Sequence, residues 1–113
     1  MANQIISELH DMLVQQVSNL SAALSNTTDP KIAKTLLLEM QEVTHRVDVS
    51  QNLMFATETK ELQSYLPNIQ AASTALEKSI AQIGQATSII TATTKFLNVV
   101  DQALNLAKTL LVA

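Results

Sequence analysis

Apolar residues recur every three or four positions along most of the chain, the period of a helix that buries one face and wets the other. Near the start, Ile6, Leu9, Leu13, Val17, Leu20 and Leu24 form such a stripe, flanked by Ile5 and Met12. Glu8, Asp11, Gln15, Ser18 and Asn19 fall on the opposite side. The spacing predicts a first helix over about residues 3–25. Asn26, Thr27 and Thr28 then read as a loop. Asp29 can accept a bond from an orphan backbone N–H, and Pro30 fits the first helical position, where no N–H is needed.

A second stripe, Ile32, Leu36, Met40, Val43 and Val47, predicts a helix from residue 30 to about residue 63. Past Val47 the pattern shifts. Ser50 and Thr57 stand where apolar residues would continue the line, while Val49, Leu53 and Ala56 form another line beside Met54 and Phe55. A change of face means that the helix bends or that its second half meets a different neighbour. Pro67 disfavours helical geometry at Leu66, and Ser64 is placed to cap the next helix. The alternative is one helix kinked at Pro67.

From residue 67 to residue 113 a ladder dominates. Ile69, Leu76, Ile83, Ile90, Leu97, Leu104 and Leu111 stand seven residues apart. Three residues after each of the first six comes a mostly small side chain: Ala72, Ser79, Ala86, Thr93, Val100 and Ala107. A strict seven-residue repeat keeps one stripe facing a partner helix. Large side chains on one line and small ones on the other allow close approach. This predicts an interaction seam, with Ala72 and Ala86 as its closest points.

At 1.5 Å per residue the three helices would be about 33, 50 and 70 Å long. Stacked up, down and up, the third outruns the first by roughly 20 Å, exposing Leu104, Leu106, Leu110, Leu111 and Val112. Either another chain covers that patch, or the helix breaks near Thr91, Ala92, Thr93 and Thr94 and folds back as a fourth. Gly84 is a second weak point, costing about 1 kcal/mol in a helix interior. The expected fold is all-α, an elongated antiparallel bundle or hairpin of three long helices, or four, in one domain with a coiled-coil-like seam.

Composition sharpens this. One glycine and two prolines in 113 residues leave little punctuation, so the helices must be few and long. Phe55, Tyr65 and Phe96 are the whole aromatic set, which suits helix seams better than a walled pocket. The net charge of −3 argues against nucleic acid, whose footprint is a basic face. Without cysteine there are no disulfides. The first residues lack the basic-then-apolar pattern of a secretory signal, so a cytoplasmic address is the default, although export without a cleaved signal would leave no mark.

Candidate chemistry is sparse. Glu42 and His45 make a Glu-x-x-His, the spacing that supplies two ligands of a di-iron centre, but the site needs a second such pair and two more Glu, and the other histidine, His10, has Ser7 three residues before it. Ser7, His10 and Asp11 could suggest a nucleophile, yet adjacent residues do not face each other on a helix. Glu58, Lys60 and Glu61 read as a solvated helix end. In the last helix Thr94, Asn98, Asp101, Asn105 and Lys108 share a narrow polar face; the broad apolar remainder suits a bundle, or a membrane surface. The expectation is a non-enzymatic interaction or oligomerisation module without cofactor or metal. It would pair with copies of itself or with another helical protein. The alternative is a membrane-active or pore-forming helical component.

Overall fold

Asn3 opens the first helix, its side-chain oxygen accepting from the Ile6 amide at 3.1 Å. The computed structural model describes residues 3–82 and 86–111. Among them are four long helices and a single turn: α1 (Gln4–Asn26), α2 (Pro30–Gln51), the turn α3 (Lys60–Gln63), α4 (Leu66–Ala81) and α5 (Ala86–Leu110). No strand occurs among the described residues, and the class is all-α. Asp29 caps α2 through a 2.9 Å bond from the Lys31 amide, with Pro30 in the first turn.

α1 packs on α2 and α4, and α5 packs on the same two helices, so α1 and α5 lie on one diagonal of a four-helix bundle. Arg46 of α2 meets Asp101 of α5, and Gln16 of α1 meets Ser73 of α4. α1 therefore runs up with α4, and α2 down with α5. The bundle is elongated, 49 × 21 × 17 Å. Leu9, Leu13, Leu20, Leu36, Val43, Ile69, Leu76, Ile89, Phe96 and Val100 fill its axis.

Two expected helices are shorter than their stripes implied. α2 stops at Gln51, not near residue 63. The neighbouring α1 begins at Gln4, and beyond that level a straight helix would have no apolar partner. The chain instead turns across the diagonal from α2 to α4 and points Leu53, Ala56 and Leu62 into the open end of the bundle. This crossover is pinned at both sides. Asn3 donates through Nδ2 to the Ala56 carbonyl at 2.9 Å, and Thr57 donates to the Leu110 carbonyl at 3.1 Å. Glu58 Oε1 accepts from the amides of Gln4 and Ile5 at 2.9 and 3.3 Å. That carboxylate, expected at a solvated helix end, caps the positive end of α1.

The expected third helix is two helices. α4 ends at Ala81 and α5 starts at Ala86, so the chain folds back ahead of Thr91, not within residues 91–94. Those residues are helical, and Thr93 is buried with its hydroxyl donating to the Ile89 carbonyl at 2.8 Å. Folding back lets α5 bury its apolar face against α2 and α4 instead of leaving it as an overhang. Ile83 and Gly84 lie outside the described residues, as does Val112.

Candidate interaction surface

The ladder is divided by this fold. Ile69 and Leu76 on α4 and Leu97 and Leu104 on α5 are buried within the chain's own bundle. Ile90 and Leu111 are instead 43% and 44% exposed. Ala72 and Ala86 are half-buried and packed against the core. Most of the seam thus lines the interior, and two rungs face water.

The residues singled out for chemistry are spread apart or engaged elsewhere. His45 is exposed, and Glu42 binds Arg46 Nη1 at 2.6 Å. The described residues hold no cluster of three or more metal-ligating side chains. His10 does not join Ser7 or Asp11; its Nδ1 lies 2.8 Å from Ser50 Oγ on α2. The Ser50 hydroxyl also lies 2.8 Å from the Val47 carbonyl; with its one proton donated there, it accepts from His10 Nδ1–H.

Two polar features escaped the periodicity of the sequence. Gln16 is wholly buried and reaches Ser73 Oγ at 2.7 Å and its carbonyl at 3.2 Å. Its place on the apolar stripe between Leu13 and Leu20 was the available signal. Arg46 crosses from α2 to α5, where Nε and Nη2 hold the two carboxylate oxygens of Asp101 at 3.1 and 3.0 Å. The Asp101 hydrogen bond raises the guanidinium pKa despite the opposing effect of partial burial, with Glu42 adding a smaller push. Among the described residues every buried side-chain nitrogen or oxygen has a hydrogen-bond partner. Of the buried polar side chains, Gln16, Ser73 and Ser50 join helices, while Thr93 bonds within α5.

Several large apolar side chains are also left in water. Phe55, on the crossover, is 78% exposed. The bond from Thr57 to Leu110 sets it at the same end of the bundle as the exposed Leu111. Along the sides, Val14, Leu37, Leu38 and Ile90 are exposed. A groove of about 600 Å³ runs between α1 and α2 over Val14, Val17, Ser18, Ala22, Thr44 and Val47. No described helix is long and apolar enough to cross a membrane.

No family model matches this chain, and neither the curated proteins nor the solved structures include a match to it.

Proposed function

We propose that this chain is a non-enzymatic helical interaction module that assembles with itself or with another helical protein. The observation that carries the reading is Phe55, an aromatic side chain 78% exposed on a crossover tied to both α1 and α5. Exposed apolar side chains that share one patch mark contact surfaces, Phe55 stands at the same end of the bundle as the exposed Leu111, and aromatic anchors dominate such contacts. A photo-crosslinking amino acid at position 55 tests it. Crosslinks to a defined partner or to a second copy, lost when Leu111→Ser is added, are the expected result. A protein that forms none in its native cell would count against the reading.

A membrane-active role is the second reading, supported by the apolar face of α5, where Ile89, Phe96, Leu97, Val100 and Leu104 are buried. That face would have to leave the bundle, and the Arg46–Asp101 contact is what would restrain it. Dye release from anionic vesicles, faster for Asp101→Asn than for the parent chain, is the result this reading requires.

A further inference from the structure

Two exposed charges of α2, Lys34 and Asp48, run against its dipole, although the Asp29 carboxylate caps its N-terminus. Helix N-termini favour acidic residues and C-termini basic ones, yet α2 has no acidic residue in its first turn and no basic residue in its last. Lys31 and Lys34 stand near its start and Asp48 near its end. Lys34 and Asp48 are exposed and belong to neither of the two ion pairs among the described residues, both of which are made by Arg46. Lys34 and Asp48 therefore stand exposed, opposite in charge and free of ion pairs among the described residues.

Lys34, Gln41 and Asp48 lie seven residues apart on one outward line of α2, so the lysine and the aspartate are separated by about 21 Å. Turn a second copy by 180° about an axis through Gln41, and each Lys34 meets the other copy's Asp48. A parallel copy would set lysine against lysine. The apolar groups follow the same symmetry. The His10–Ser50 bond fixes the antiparallel register of α1 and α2, which places Val14 level with the part of α2 between Thr44 and Val47. Leu37, 42% exposed, sits on the stripe of Thr44 one heptad earlier. The rotation carries it onto the Val14, Thr44 and Val47 end of the partner's groove.

We propose that the outer face of α1 and α2 binds a second copy of this chain in antiparallel, two-fold fashion, with Lys34 of each copy paired to Asp48 of the other. This rests on the self-association reading and names its surface. Two helices about 30 Å long at 8–10 Å separation offer roughly 600 Å² per copy, near the lower end of stable interfaces. The dimer is therefore concentration-dependent.

Charge reversal tests it by sedimentation equilibrium of the full chain. Lys34→Glu and Asp48→Lys should each weaken the dimer about tenfold, because each replaces two attractions by two repulsions. The double variant should return to within about threefold of the parent, its pairs restored with reversed sign. Each single change also corrects the helix dipole, so the dilute monomer should melt no lower than the parent, separating a lost interface from a lost fold. Single variants that dimerise as tightly as the parent would overturn this surface and leave self-association standing. So would a double variant as weak as the singles. A parent chain that stays at 12.3 kDa at all concentrations would overturn both, including where a crosslinker at position 37 captures a different protein.

Discussion

Arg46 and Asp101 meet as two parallel hydrogen bonds, Nε to Oδ1 at 3.1 Å and Nη2 to Oδ2 at 3.0 Å, and together they lock α2 against α5. A bidentate pair of this kind fixes geometry as well as adding energy. The Arg46 side chain is 18% exposed and that of Asp101 42%, so water screens the pair in part. Asp101→Asn is expected to cost about 1–2 kcal/mol. A double-mutant cycle with Arg46→Met should show coupling, measured by urea unfolding. Zero coupling would mean that the two side chains are only neighbours.

Gln16 and Ser73 make the corresponding contact between α1 and α4, but out of water. Gln16→Ala removes the donor and leaves a hole, with an expected loss of about 2–3 kcal/mol. Ser73→Ala should cost less, because the Gln16 amide keeps the Ser73 carbonyl as an acceptor. If thermal melts rank the two in the opposite order, the serine and not the glutamine organises this layer.

Glu39 contributes a pH dependence to stability. Burial first, and the charge of Glu42 second, raise its carboxyl pKa above the ordinary glutamate value. The folded chain then holds this proton more tightly than the unfolded one. The stability it contributes is complete below the unfolded value and is lost as the pH rises through the folded value. Glu39→Gln should therefore melt higher than the parent near pH 7, with the difference closing as the pH falls below about 4. A gap that stays constant over that range would remove Glu39 as the cause.

The parts of the fold legible in the sequence are those fixed locally. The stripe of α1, the Asp29 cap and Pro30 at the start of α2 all depend on residues within a turn or two of one another. The crossover does not. Ser50 breaks the apolar pattern of α2 because its partner, His10, lies on another helix, and no periodicity within α2 reveals that bond. Leu53, Ala56 and Leu62 turn inward because the bundle has an open end to fill, which exists only once four helices have assembled. The seven-residue ladder hid the division between α4 and α5 for a related reason. Two helices packed side by side can keep the same spacing as one long helix, since the burial of each rung depends on what stands opposite it. The exposure of Phe55 had no sequence signal, because an aromatic beside Met54 and Leu53 reads as core.

The ladder itself supplies the sharpest test of that distinction. Leu97 is 7% exposed and Ile90 is 43% exposed, although they are consecutive rungs on the same helix. If the seven-residue repeat marked one continuous seam, truncating either would cost alike. In the bundle, Leu97→Ala empties a buried site and is expected to cost about 2–5 kcal/mol. Ile90→Ala, on a half-wet flank, should cost below about 1 kcal/mol; Asn98→Ala, fully outside, should be within about 0.5 kcal/mol of the parent. These values refer to dilute protein, where any second copy has dissociated. Should Ile90→Ala prove as damaging as Leu97→Ala only at high concentration, the difference would measure what a partner buries on that flank. Equal damage at every concentration would mean that α4 and α5 do not fold back on each other.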